Sequence, residues 1–255
     1  MQAYTPYDPL TEYVIRCADN SLILGHRISE WCGHGPVLEQ DIALTNMALD
    51  LLGQSRMYLQ YAAELIGENE TEDSIAFLRD AMQFRNSLLV EQPNDDFAHT
   101  IIRSLIFDAF HYFFTQKLTE SKDKRLSDIA TKSLKEITYH RKFSSEWTIR
   151  LGDGTEESNK RMQTAIDNLW RYKGELLEPD EIDIEMKNAG IGVDLSLISF
   201  DVDNYLTEIL KKAKLTIPTD IFMQKGGKQG VHSEHLGFIL TELQFMQRAY
   251  PGLNW

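Results

Sequence analysis

Only two cysteines, Cys17 and Cys32, occur in the 255 residues, and they do not form a metal-type pair. The opening "MQAYTPYDPLTEY" lacks a basic region followed by an apolar one, so no export signal is expected. The two cysteines are therefore read as free thiols in a reducing cytoplasm. No run of about 18 apolar residues is present, and no membrane span is expected. Positive charge is scarce, with 26 Lys and Arg against 39 Asp and Glu and a net charge of -13. That balance speaks against a nucleic-acid backbone as main partner, and it suits solubility and basic protein partners. Two catalytic motifs are also missing. "KGGKQG" lacks the order of a phosphate loop, although its glycines and lysines could meet a phosphate or an acidic partner. There is no Gly-x-Ser-x-Gly nucleophile elbow.

What the sequence does contain is helical periodicity. Leu10, Val14, Cys17, Ser21, Leu24, Ile28 and Trp31 recur at four and three, a stripe that faces a bundle. Gly33, Gly35 and Pro36 break it. A second helix is expected over 37–66, apolar on nearly all sides and hence buried. A shorter crossover element is expected over 71–90, and "EQPNDDF" breaks again, with Asn94 or Asp95 as a cap. A third long helix follows over 96–121. A fourth, over 124–151, carries Leu126, Ala130, Ser133, Ile137, His140, Ser144 and Trp147 on one stripe. Four such helices, in two pairs joined by a longer connection, make an all-α, ferritin-like four-helix bundle with a crossover. Further helices are expected over 156–177, 180–188, 195–214 and 233–249. The whole reads as one domain over 1–255, with the bundle at about 8–152 and C-terminal helical additions at about 155–255.

The stretch "KEITYH" raises a question of chemistry. Di-iron bundles take one Glu from each of two helices and a Glu-x-x-His from each of the other two. Here Glu136 and His140 are four apart, and Ile137 stands three before the histidine. Aligning "NSLILGHRI" with "RSLIFDAFH", and "DLLGQS" with "ITYHRK", gives six ligand places. They hold Gly25, Asp50, Gly53, Asp108, Ile137 and His140. Three of these cannot bind metal, and a shared two-cation site needs several carboxylates. A different register would bring in Glu136, Glu30 or His26. The expectation is therefore no catalytic, cofactor or metal residue in this chain, with Asp50, Asp108 and His140 as relic positions and Glu136 as a neighbour. Asp50 and Asp108 lie within apolar runs and need polar partners if buried. His140, His111, Arg27, Arg56 and Arg103 are candidates, and Glu136 with His140 is alternatively a surface helix pair. "HSEH" spaces His232 and His235 three apart, without an evident third ligand.

Several longer stretches carry a family resemblance. They are "DNSLILGHRISEWCGHGPVLEQDIALTNMALDLLGQSR", "FRNSLLVEQPNDDFAHTI", "KEITYHRKFSSEW", "LWRYKGELLEPDEIDI" and "GGKQGVHSEHLGFILTELQFMQRAYPGLNW". In order, and over nearly the whole chain to Trp255, the sequence resembles the PaaC family, the smaller ferritin-like subunits of bacterial phenylacetyl-CoA epoxidase. The resemblance implies a complex that uses iron and O2 to convert the ring of phenylacetyl-CoA to a 1,2-epoxide, with electrons from NADPH through a separate reductase. It implies a catalytic sister subunit, PaaA, which holds the iron, and a small subunit, PaaB. The role implied for this chain is a non-catalytic, structural one. Trp31, Trp147 and Phe110 to Phe114 are candidates for a partner face or for core packing. Self-association is left open. Two other readings stand beside it: a di-iron oxygenase in its own right, and an acyl-CoA-binding module using Lys211, Lys212, Lys214, Lys225 and Lys228.

Overall fold

The computed structural model describes residues 7–67 and 69–253. Among the described residues the fold is all-α, of ferritin-like class, with no strand. The ends of the family-like stretch before Tyr7 and at Trp255 lie outside the described residues. The chain gathers into two compact units, one within Met1–Gln92 and Gly226–Trp255, the other within Pro93–Lys225.

The first unit is built on a helix pair, α1 (Pro9–Ser29) and α2 (Leu38–Ile66). Proline opens α1, and the Asp8 carboxylate accepts from the Leu10 and Thr11 amides, so the start is capped twice. The turn between the helices is closed by Asp41, which accepts from the Gly35 amide at 2.9 Å. A Cβ on Gly35 would lie 2.6 Å from that of Asp41, so only glycine fits there. The second helix is not buried all round. Leu38, Ile42 and Leu49 are exposed, because α1 covers one side of α2 only.

The expected 71–90 crossover is not one element. Thr71 caps a short α3 (Glu72–Phe77), a single 3-10 turn follows at Ala81–Gln83, and the chain then runs without regular structure to residue 96. That stretch is nonetheless buried from Phe84 to Gln92. Its polar groups are held by side chains from α1 and from the far end of the sequence, which no local pattern foretells. The last two helices, α10 (Glu234–Leu243) and α11 (Phe245–Ala249), belong to this unit and replace the single helix expected over 233–249.

The second unit begins with α4 (Phe97–Leu118) and α5 (Lys124–Gly152). Asp96, rather than Asn94 or Asp95, caps α4 through the His99 amide, and Asp123 caps α5. The short connection over 119–123 makes the two helices antiparallel neighbours. Around them lie α6 (Glu156–Leu169), a 3-10 turn at Trp170–Tyr172, α7 (Lys173–Leu177), α8 (Glu181–Ala189) and α9 (Leu195–Lys212). Thr155 with Ser158, and Asp180 with Asp183, form reciprocal capping boxes at the starts of α6 and α8.

Candidate functional site

The aligned positions Asp50, Asp108 and His140 fall out differently in the two units. In the second unit, α4 turns Asp108 inward and α5 turns His140 and Ser144 inward, all three at most 1% exposed. His140 favours the charged form of Asp108, and the Ser144 hydroxyl donates to its carboxyl. Burial outweighs both and pushes the Asp108 carboxyl up to about 6. One turn further along α4, His111 is also buried, and burial together with the nearby His140 lowers its imidazole to about 3. Ile137 is fully buried on the same α5 stripe.

Glu136, one turn before His140 on α5, is half-buried, while His140 is fully buried. In the first unit Asp50 is half-buried too, at the edge of the exposed side of α2, rather than deep in the apolar run that surrounds it in sequence. Gly25 lies against Leu51 and Leu52, where a Cβ would come within 3.3 Å, and Gly53 faces open space. Of the charge partners expected for the aspartates, Arg27 reaches the Glu91 carbonyl and the Glu30 carboxylate, Arg56 reaches Glu72, and Arg103 reaches Asn94.

Among the described residues no three His, Cys, Asp or Glu side chains come together in a way that could hold a metal ion. Set against the di-iron pattern, the place three before His140 holds Ile137 and the aligned places beside Asp50 hold Gly25 and Gly53, so the aligned positions offer three donors where such a centre takes six.

The larger polar assembly lies in the first unit, and sequence reading missed it. On α1, Glu12, Arg16 and Asp19 recur at four and three and are all buried. Arg85 donates from Nε to Glu12 at 2.5 Å and from Nη1 to the carbonyls of Met82 and Phe84. Arg79 holds Asp19 with both terminal nitrogens, and the Arg85 amide donates to the same carboxylate at 2.8 Å. Burial raises the Glu12 carboxyl in spite of Arg85 and Arg16. Glu91, fully buried, receives the Asn86 amide group, the Ser233 backbone amide and the His232 ring. The spacing of charges along α1 was a signal of a second buried face. Their partners lie about 60–70 residues further on, and nothing local in the sequence pairs them.

This assembly also explains the two C-terminal motifs. Nδ1 of His232 lies 2.8 Å from Glu91 and Nε2 lies 3.0 Å from the Phe84 carbonyl, so both ring nitrogens face protein oxygens. The glycine loop is clamped. A Cβ on Gly227 would meet the Asn86 carbonyl oxygen at 2.1 Å. Ser233 stands at the N-cap position of α10, where its hydroxyl makes no capping bond, and its amide is given to Glu91. Of the five lysines weighed for CoA phosphates, Lys212, Lys214 and Lys225 pair with Glu208, Asp153 and Glu178. Phe110 and Phe114 are buried in the unit, and half-buried Trp147 meets Phe97 edge-on at 5.7 Å.

Asp108→Asn has a pH-dependent effect whose sign follows from these shifts. The native carboxyl binds its proton more tightly than the unfolded one, so ionised Asp108 costs stability above about pH 6. Asparagine removes that cost. The variant is more stable by up to about 3 kcal/mol at neutral pH. Its advantage shrinks to nothing as the pH falls to about 4. His111 acts in the opposite sense, because the unfolded state takes up its proton first as the pH falls from 6.5 towards 3. Urea unfolding of both proteins from pH 4 to pH 8 checks the difference.

The likeness to known proteins extends over the whole chain. The family model described as "Phenylacetic acid catabolic protein" matches residues 2–255. One of the subunits of the 1,2-phenylacetyl-CoA epoxidase of Escherichia coli (strain K12) is 48% identical over 246 residues, which is 96% of this chain and 99% of that protein.

Proposed function

The chain belongs to the phenylacetic acid catabolic protein family, and we propose that it is the non-catalytic structural subunit of a phenylacetyl-CoA ring-1,2-epoxidase. The observation that carries the reading is the donor set. On α5 the buried Ile137 fills the place of the glutamate that a di-iron bundle sets three residues before its histidine. The Escherichia coli relative, an epoxidase subunit by name and aligned over almost its full length, supports a place in the same kind of complex.

In this proposal the iron and the oxygen chemistry belong to the sister subunit PaaA. PaaB joins the assembly, and a separate reductase delivers electrons from NADPH. This chain binds no cofactor and works in the cytoplasm. Asp108 and His140 are relics of a metal site, kept as a polar contact inside the second unit. The chain contributes rigidity. Buried ion pairs fix the irregular segment over 79–92 against α1, and a rigid body can hold a partner's helices in place with little ordering cost on association.

The test has two arms. The chain purified alone contains far less than one iron per molecule and shows no O2-dependent turnover of phenylacetyl-CoA. Co-expression with the catalytic subunit restores soluble, active complex, and omission of this chain lowers both yield and turnover by at least about tenfold. Two irons per chain with turnover in isolation would sink the proposal.

A further inference from the structure

On α4, Ser104, Asp108, His111 and Thr115 recur at four, three and four residues, and so share one face of the helix. None is more than 6% exposed. Each carries a side-chain polar atom with no hydrogen-bond partner among the described residues: Ser104 Oγ, Asp108 Oδ2, His111 Nδ1 and Thr115 Oγ1. On α5 the Ser133 hydroxyl, on a residue 1% exposed, is in the same condition. The antiparallel register that sets Asp108 against His140 and Ser144 places Thr115 level with Ser133 and Ser104 level with Thr148. The polar positions are therefore rungs along one seam, and Ser104 to Thr115 covers about 16 Å of helix at 1.5 Å per residue.

A native core leaves few buried polar atoms unpaired, and here five lie spaced along two neighbouring helices. The missing partner must both donate and accept, since hydroxyls, a carboxyl and an imidazole all face it. It must also be small, because the helices are in direct contact. A metal ion is disfavoured by the lack of three converging ligands. We propose that the α4–α5 seam holds a file of internal water molecules that bridge the rungs from Ser104 to Thr115. Each water would meet two or more of these atoms, as buried waters do. This inference goes beyond the subunit reading and stands whether or not the chain serves an epoxidase.

The test joins diffraction from the full chain, at a resolution that shows ordered water, with the thermal unfolding of Thr115→Val. Valine keeps the shape and deletes the hydroxyl. In a hydrated seam the variant strands a water and its midpoint falls by about 2–4 °C. In a dry seam the variant removes an unpaired hydroxyl and its midpoint rises. The expected result is density within hydrogen-bond distance of Thr115 Oγ1 and Ser133 Oγ, together with a lowered midpoint. Absence of that density in the wild-type protein, or a raised midpoint, overturns the proposal. If the variant does not fold, the wild-type density decides alone.

Discussion

Replacing Arg85 by methionine costs about 3–5 kcal/mol of stability, measured by urea unfolding at neutral pH. The side chain is 2% exposed, and its acceptors include the Glu12 carboxylate and the carbonyls of Met82 and Phe84. Methionine fills most of the space and supplies none of the donors. Glu12, 1% exposed, is left with Arg16 favouring its charge and with burial and Asp19 against it. The asymmetry of a buried pair gives the control. Removing one partner strands a charge, whereas removing both with apolar groups of similar volume is often close to neutral. Glu12→Leu combined with Arg85→Met therefore recovers most of the loss. A loss below about 1 kcal/mol for Arg85→Met would show that water reaches the pair and screens it.

Gly230→Ala lowers stability by about 3 kcal/mol, while Gly237→Ala, seven residues on, does not. Gly230 has φ +76, a conformation that costs an L side chain about 1–2 kcal/mol. An added Cβ there would also lie 2.2 Å from the Met82 carbonyl oxygen and 2.8 Å from Arg85 Nη1. The backbone oxygen cannot step aside without moving the segment that Arg85 and His232 hold. Gly237 is inside α10 with nothing near its absent Cβ, and alanine there raises stability by up to about 1 kcal/mol through helix propensity. Hydrogen exchange reports the difference locally. In Gly230→Ala the amides of 84–91 and 230–233 exchange faster together, because they are tied to each other. Equal effects at the two glycines would contradict the clamp.

Helices were the legible part of this sequence, because their signals are local. The starts of α4, α5, α6 and α8 fall within about a residue of the expected ones, although Asp96 and not Asn94 or Asp95 caps α4, and the stripe from Leu126 to Trp147 marks the buried side of α5. His140 was one of five partners weighed for the aspartates, and the structure brings it to Asp108. Asp50 misled, because the run "MALDLL" is apolar in sequence while Leu49 and Asp50 turn towards the uncovered side of α2. The segment from Arg79 to Gln92 was not legible. Its burial depends on Glu12, Asp19 and the 226–233 loop, and those contacts span more than 60 residues of chain. Read locally, the glycines of "KGGKQG" signal only a turn. The tight approach of Gly227 to Asn86 and of Gly230 to Met82 is visible only once the loop is docked.

The claim that unites these observations is that Asp108 and His140 are structural remnants, with the oxygen chemistry in a partner subunit. It is tested most directly by turnover of the complex reconstituted with the double variant Asp108→Asn, His140→Gln of this chain. The first substitution relieves a buried charge and the second keeps a polar side chain, so the fold is retained. Phenylacetyl-CoA epoxidation by that complex stays within about twofold of wild type, a change of less than about 0.5 kcal/mol in the barrier. A fall of a hundredfold or more, in a complex that assembles normally, would place the chemistry in this chain and contradict the account.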